Sequence, residues 1–503
     1  MSKIDTPQRA KADRPAASLA AGEPSLYADR KKVYPKAVSG PVRSVKWAVL
    51  ALCLGLYYLV PWIRWDRGPG MPNQAVLADI NNARLFFFWI EIWPQEIYFL
   101  TGALILGAFA LFAVSSLFGR LWCGFTCPQT VWTDLFMWVE RWIEGDRNAR
   151  MKLDQGPRDR VYWTRKAAKH AVWVFIALAT GGVWVTYFVD APTVTREFFT
   201  GAASLEVYVF VGLFTGTTYL LAGWAREQVC TYMCPWPRFQ AAMLDENSLV
   251  VSYRAWRGEP RGKAKAAGVG NCVDCMACVH VCPTGIDIRD GLQIECIGCG
   301  LCIDACDSVM AKLGRPKGLI GFETLTNLAA STAATATFKP GPERHACGMQ
   351  ARQTPRFIRP RTMLYAGALG VVSLVMLGAF LMRTTLELTA LRDRAPLYVR
   401  LADGGLRNAY TLKIVNRTHE SVPYVLAFEG PRGAVLTAQG IEVDAQGRIL
   451  LPPRPDAVSE YRVFLTIPGG QRVPQSTPVT FRLLDANGHA AARESTVFLG
   501  PRP

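Results

Sequence analysis

Histidine is scarce in this chain. Its five residues (His170, His280, His345, His419 and His489) are scattered over 503 positions, and only His170 falls near an apolar run. A bis-histidine membrane haem, which needs ligands on facing spans, therefore finds no support; Met or Cys ligation is the only haem chemistry left open. No Gly-x-Gly-x-x-Gly follows a strand pattern and no phosphate-binding P-loop is present, so neither nicotinamide nor ATP binding is visible. The N-terminus lacks an apolar core with a cleavage site. Lys3, Arg9, Lys11, Arg14, Arg30, Lys31 and Lys32 instead make a basic tail predicted to be disordered. Acid is also under-represented, with 40 Asp and Glu against 56 Lys and Arg, for a net charge of +16. In a soluble protein that excess would suggest nucleic acid. Half of this chain is hydrophobic, so basic loops that orient a membrane protein explain the charge, and no nucleic-acid partner is expected.

What the chain does have is cysteine. Eight of the 14 read Cys272-x2-Cys275-x2-Cys278-x3-Cys282-Pro and Cys296-x2-Cys299-x2-Cys302-x3-Cys306. This is the spacing of bacterial two-cluster ferredoxins, in which three close thiolates clasp one [4Fe–4S] cube and the fourth crosses to the other. It assigns Cys272, Cys275, Cys278 and Cys306 to cluster one, and Cys296, Cys299, Cys302 and Cys282 to cluster two. A lone C-x2-C would equally fit zinc or a redox dithiol; two complete runs in order favour iron–sulfur clusters. Pro283 follows the first run, but Asp307 follows the second. That departure is expected to alter the turn near cluster one and removes no ligand. Reduced thiolates require a reducing compartment, so disulfides are not expected. His280 reads as a solvated or hydrogen-bonding residue and Cys53 as packing, while His345-Ala-Cys347-Gly-Met349 offers soft donors.

Five apolar stretches, roughly 44–64, 97–118, 168–189, 206–225 and 362–382, are long enough to cross a bilayer. Lys and Arg crowd the tail, the stretch 141–169 and the segment 226–361, while the loops 65–96 and 190–205 hold few. The positive-inside rule then puts the tail, the middle loop and the ferredoxin in the cytoplasm and everything after residue 383 outside. Residues 129–145 carry aromatic and apolar positions at helical spacing, as in an interfacial helix or one packed on the bundle. The membrane part is an internal repeat. Glu96-Ile-Tyr begins a span that ends at Cys123-Gly-Phe-Thr-Cys127-Pro128; Glu206-Val-Tyr begins another that ends at Cys230-Thr-Tyr-Met-Cys234-Pro235. Parallel repeats tend to build a shared site at their interface.

These two pairs are the second candidate site. A helix would put Cys123 with Cys127, and Cys230 with Cys234, on one face each, although a following proline biases Cys127 and Cys234 away from helical backbone. Four converging thiols suit a soft metal, Cu(I), zinc or iron, or a dithiol–disulfide relay; two pairs of packed structural cysteines are the plain alternative. Glu96 and Glu206, at the outer span ends, read as interface anchors or as proton or quinone sites. After the ferredoxin, 311–361 reads as an extended or partly disordered linker. Beyond 384, short alternating segments separated by Gly, Pro and Asn turns predict an antiparallel β-sandwich without a cysteine pair. The expected fold is a multi-domain membrane protein: a basic tail 1–43, a four-span domain 44–255, a ferredoxin insert 256–310, a linker 311–361, a fifth span 362–383 and an Ig-like sandwich 384–503.

Paired C-x3-C-P motifs, a two-cluster ferredoxin insert, a fifth span and an outward Ig-like tail together resemble the CcoG/FixG/RdxA family of bacterial cytochrome c oxidase accessory proteins, from about Val33 to the end. The membrane pairs alone also resemble the NapH and NosR groups. The resemblance implies an inner-membrane protein with two [4Fe–4S] clusters on the eight cysteines, and copper as a candidate second metal. It implies reduction of Cu(II) to Cu(I) for assembly of the cbb3-type oxidase. The implied partners are copper ions or a copper chaperone, a copper-transporting P-type ATPase and oxidase assembly factors, with a cytoplasmic electron donor that the sequence leaves unknown. Cys123, Cys127, Cys230 and Cys234 carry over only as a motif match to a redox or copper site. A quinol-linked electron conduit and a non-enzymatic assembly scaffold are the competing readings.

Overall fold

The computed structural model describes residues 32–501, apart from 69–70, 265, 267, 419, 442, 445, 456 and 472. Most of the predicted basic tail, and His419, lie outside the described residues. The tail's last part is not loose. Tyr34 donates to Asp154 (2.7 Å), the Ala37 N–H to Asp146 (2.9 Å) and the Lys36 N–H to the His280 carbonyl (2.8 Å), so residues 34–37 are pinned in extended form.

Five helices are long and apolar enough to span a bilayer: Pro41–Trp62, Pro94–Phe118, Arg160–Thr186, Leu205–Ala225 and Pro360–Leu381. The third starts well before the predicted 168, because its early charges are neutralised. Lys166 pairs with Glu144 (2.9 Å) and Asp154 (2.7 Å), and Lys169 with Glu144 (2.9 Å). Buried lysines that would end an apolar run persist here on paired carboxylates.

The chain forms two compact units. Among the described residues, one comprises 32–54, Val114–Gly181 and Gly212–Phe357; the other comprises Gly55–Ala113, Gly182–Val211 and 358–501. In the first, each cysteine run leads into a helix, Ala277–Val281 and Leu301–Lys312. The amphipathic segment is a helix, Pro128–Glu144, with Val131, Phe136 and Val139 buried and Trp138 and Trp142 exposed. Its buried face also carries Asp134, Glu140 and Glu144.

The predicted linker 311–361 is folded, contrary to expectation. Ile320–Glu323 pairs antiparallel with Val250–Tyr253, and the helices Leu325–Ala334 and Pro342–Gln350 follow. Leu319 and Ile320, each 1% exposed, join Tyr253 and Met310 in the core around Cys272, Cys278 and Cys306. Thr324 caps the first of these helices through the Asn327 N–H (3.2 Å), and Pro342 opens the second, so residues that suggested a linker are helix starts.

In the second unit, a three-stranded antiparallel sheet (Val76–Asp79, Arg84–Phe87, Ile90–Ile92) precedes the second span. The C-terminal part is the expected sandwich. One sheet has the order Val435–Ala438, Ala457–Ile467, Leu406–Asn416, Leu386–Arg392; the other Ile449–Leu451, Tyr424–Glu429, Ser476–Leu484, Ala490–Leu499. Tyr410, Leu412 and Ile414 alternate inward from the first and meet Val479, Phe481 and Leu483 from the second, all fully buried.

Candidate iron–sulfur and dithiol site

The two cysteine runs have the same backbone. Asp274 and Met276 in the first take φ of +54° and +58°; Gly298 and Gly300, at the matching positions of the second, take +71° and +68°. Left-handed residues at fixed offsets turn successive N–H groups inward, the nest that cradles anionic cofactors. The Gly298 N–H faces the Cys296 sulfur and the Leu301 N–H the Cys299 sulfur, each favouring the thiolate. Cys306 lies close enough to Cys278, Cys275 and Cys272 to repel them as thiolates. Cys302 stands in the same relation to Cys299, Cys296 and Cys282, and more weakly to Cys278. The residues thus fit two adjacent cubes in the crossed grouping. Burial pushes the Cys296 and Cys306 thiols up to about 12, so loading metal there must displace protons.

Asp307 also finds its explanation. Cys282 ends its short helix with extended backbone, where proline fits, but Cys306 lies inside Leu301–Lys312. Proline after it would break that helix. Asp307 instead accepts the Gly318 N–H at 2.7 Å.

Each C-x3-C-P motif folds as a tight turn, not a continuous helix. The Cys127 N–H reaches the Trp122 carbonyl (2.9 Å) and the Cys234 N–H the Val229 carbonyl (2.8 Å), both five residues back. Cys127 and Cys234 are extended, with ψ of 128° and 122°, as a following proline requires. The i, i+4 helical expectation therefore fails at the second cysteine of each pair, for the steric reason that proline supplies. The thiols nonetheless gather. Cys127, Cys230 and Cys234 all lie near enough to Cys123 to repel its thiolate. Burial, with this repulsion behind it, pushes Cys123 and Cys230 up to about 12. The Cys123 thiol donates to Gln240 (3.2 Å), itself fully buried. Among the described residues, no three His, Cys, Asp or Glu side chains converge as closely as a single metal ion requires; the ligands of a cube lie farther apart than that.

The two cysteine systems touch. A Cβ on Gly124, between Cys123 and Cys127, would lie 2.9 Å from the Cys299 backbone and 2.9 Å from Gly298. Cys123 and Cys230 pack in one apolar cluster with Cys299, Cys302, Val281 and Leu301. Arg120 donates to the carbonyls of Cys296 (3.0 Å), Pro237 (3.0 Å) and Ile294, tying the first motif to the second and to the second cysteine run. Asp304, on the helix after that run, accepts the N–H groups of Val42 (3.3 Å) and Arg43 (2.7 Å) and so caps the first span. Arg120, Gly124, Gln240 and Asp304 carry no sequence signal. Only the repeat alignment, which sets Gly124 opposite Thr231, hints at one of them.

Other candidates separate from the site. Glu96 is 3% exposed and pairs with Arg383 (2.7 Å) while accepting the Trp93 N–H (3.2 Å), a structural role; Glu206 is exposed. His170 bonds Tyr219 through Nδ1 (2.8 Å). His345 stacks on Trp256, Cys347 donates to the Ala334 carbonyl, and Met349 is exposed, so the three soft donors do not converge.

Comparison with known proteins agrees with this architecture. A profile for a 4Fe-4S dicluster domain matches residues 225–325, one for a 4Fe-4S binding domain matches 100–148, and one for the IG-like fold at the C-terminus of FixG matches 376–501. The nitrogen fixation protein FixG of Rhizobium meliloti is 50% identical, over 89% of this chain and 88% of its own. The chain belongs to the FixG/RdxA family. Protein RdxA of Cereibacter sphaeroides, 45% identical over 92% of this chain and 95% of its own length, is a second relative. Ferredoxin-type protein NapH of Escherichia coli is 23% identical over 52% of the chain and 88% of its own. This FixG/RdxA-family protein is thus a membrane-associated iron–sulfur electron-transfer protein. The profile over 100–148 contains only two cysteines, Cys123 and Cys127.

Proposed function

We propose that this chain reduces Cu(II) to Cu(I) for insertion of copper during assembly of a cbb3-type cytochrome c oxidase. Cys272, Cys275, Cys278 and Cys306 hold one [4Fe–4S] cluster, and Cys296, Cys299, Cys302 and Cys282 the other. When bound, such clusters supply single electrons, the unit that Cu(II)-to-Cu(I) conversion consumes. The observation that carries the reading is the contact of Gly124 with the Gly298–Cys299 backbone, which brings the first C-x3-C-P motif against the second cysteine run. The membrane-edge thiols are soft donors that favour Cu(I) over Cu(II); among the described residues no three of them converge on one point, so copper meets them singly or in pairs, and Cys123 and Cys230 release their protons as the metal binds. The family likeness supports copper as the substrate, with a copper chaperone, a copper-transporting P-type ATPase and oxidase assembly factors as partners. The positive-inside pattern supports a cytoplasmic ferredoxin and a periplasmic sandwich that docks such partners.

The test is anaerobic. Purified protein is chemically reduced, Cu(II) is added with a Cu(I)-specific chelator, and the clusters' visible absorbance is followed. Cluster reoxidation matched by Cu(I) chelation is expected, with Cu(I) formation lost in Cys123→Ser and Cys230→Ser proteins that keep their iron. Reduced clusters that ignore Cu(II) would sink the reading. The NapH relative favours one rival, a quinol-linked conduit; it predicts reoxidation by quinone and none by copper. A pure assembly scaffold predicts neither.

A further inference from the structure

We propose that a cavity beside the end of the first cysteine run binds the phosphodiester of an anionic membrane phospholipid, as a structural cofactor of this protein. The cavity, of about 280 Å³, lies between the N-terminus of the first span, the Pro128–Glu144 helix and the chain around Cys282. Its lining includes Arg43, Arg141, Lys36 and a single carboxylate, Asp134. Asp134 is 1% exposed and pairs with Arg43 through Oδ2 (2.6 Å), while Lys46 reaches the same oxygen at 3.4 Å. Two polar atoms remain unmatched. Arg43 Nη2 is buried without a hydrogen-bond partner, and so is Asp134 Oδ1, which has only Arg141 at 4.0 Å. A buried guanidinium nitrogen without a partner is costly, and excess cations around one carboxylate call for an anion.

The chemistry of the unmatched pair narrows the ligand. A phosphate oxygen satisfies Arg43 Nη2 and Arg141, and a hydroxyl on the headgroup donates to Asp134 Oδ1; the glycerol headgroup of phosphatidylglycerol has both. The surroundings place this cavity at a membrane interface. Arg43 lies over Trp47 (4.3 Å), Trp47 meets Trp138 edge-on (6.4 Å), and Trp138 stacks on the exposed Trp142 (6.2 Å). Tryptophans in a row at a span terminus, beside a basic pocket, are the pattern of lipid headgroup recognition. Burial lowers the affinity of Arg141 for its proton; Arg43 and Arg150 act in the same direction, against the carboxylates of Asp134 and Asp146. The inference stands apart from the copper reading, since it concerns binding alone.

The test uses the full chain in nanodiscs of phosphatidylcholine into which phosphatidylglycerol or phosphatidylcholine brominated on its acyl chains is mixed at equal fraction. The readout is quenching of tryptophan fluorescence. Stronger quenching by brominated phosphatidylglycerol is expected for the native protein, and that preference falls about fivefold for each arginine removed in Arg141→Gln and in Arg43→Gln/Arg141→Gln. Arg141→Gln alone keeps the Arg43–Asp134 pair, so its fold, checked by cluster absorbance, is retained. Equal quenching by both lipids, or a preference unchanged in the variants, overturns the proposal. Protection of the detergent-solubilised native protein against thermal unfolding by inorganic phosphate but not by phosphatidylglycerol overturns it too, because the site then takes free phosphate rather than lipid.

Discussion

The two C-x3-C-P motifs are copies in sequence but are held in opposite ways. Four residues before its first cysteine, each motif takes a positive φ. The first uses Gly119 (φ +60°); the second forces Arg226 there (φ +45°, ψ −111°). Arg226 is kept in place by Glu140 (2.9 Å) and by the Gly223 carbonyl (2.7 Å), which must outweigh a backbone cost of about 1–3 kcal/mol. One residue later the charges invert. Arg120 favours the Cys123 thiolate, whereas Glu227 disfavours that of Cys230. The first motif is anchored to the second cysteine run by backbone contact and a carbonyl clamp; the second is anchored to a buried carboxylate network. A duplicated motif has therefore kept its five-residue N–H-to-carbonyl turn and diverged in what supports it: both first cysteines pack in the cluster with Cys299 and Cys302, but only the first copy adds a backbone contact and an arginine clamp on that loop.

Four changes probe that asymmetry. Glu140→Gln should have the largest effect. Glu140 is 1% exposed and also holds Arg150 (2.8 Å), so its loss leaves buried cations uncompensated, at about 3–5 kcal/mol. Thermal unfolding in detergent would show this, and an unchanged midpoint would refute the anchoring role. The same carboxylate gives a pH signature. Burial would raise it, but Arg226, Arg150 and Lys169 outweigh burial and hold it at about 2, below the ordinary 4.5. Its stabilisation is complete above the unfolded value and is lost as pH falls through the interval toward 2; Glu140→Gln should remove that part of the acid sensitivity.

Arg120→Ala should come next, at about 1.5–3 kcal/mol in all, since carbonyls freed of the guanidinium can be re-satisfied by water entering the vacated space. Its sharper signature is spectroscopic: electron paramagnetic resonance should show one of the two reduced clusters altered and the other intact, while Glu227→Gln leaves both unchanged. Equal perturbation by the two variants would erase the distinction between the motifs. Gly119→Ala should cost at least as much as Gly124→Ala, because it combines a left-handed φ, about 1–2 kcal/mol, with a carbon 2.6 Å from the Leu249 backbone carbonyl, which must retreat. A melting temperature equal to that of the native protein would show that the left-handed turn is not required. Gly124→Ala, which forces a methyl to 2.9 Å from the Cys299 backbone, should cost about 1–3 kcal/mol and lower iron content, whereas Thr231→Ala at the equivalent place should not.

How far each feature was legible follows the range of the interactions that make it. Both cysteine runs are read from spacing because three of the four cysteines expected for each cube lie in one loop. The sandwich is read from alternation because Leu406–Asn416 shows its buried face at every second residue. The segment 311–361 was misread because its prolines and threonines are equally good linker residues and helix starts. What decides between them is whether Leu319 and Ile320 find a core, and that core is built by residues far back in the chain.

By itself the sequence determined the cofactor type, five spans, the duplicated motif and the C-terminal sandwich, since each is written in local spacing or periodicity. The tertiary structure alone decided that Gly124 lies on Cys299, that Gln240 meets the Cys123 thiol and that Asp304 caps the first span. Those contacts join residues from about 117 to 262 positions apart. No local pattern encodes them, because at that separation only the packing of the whole unit, and the burial it enforces, selects which backbone meets which thiol.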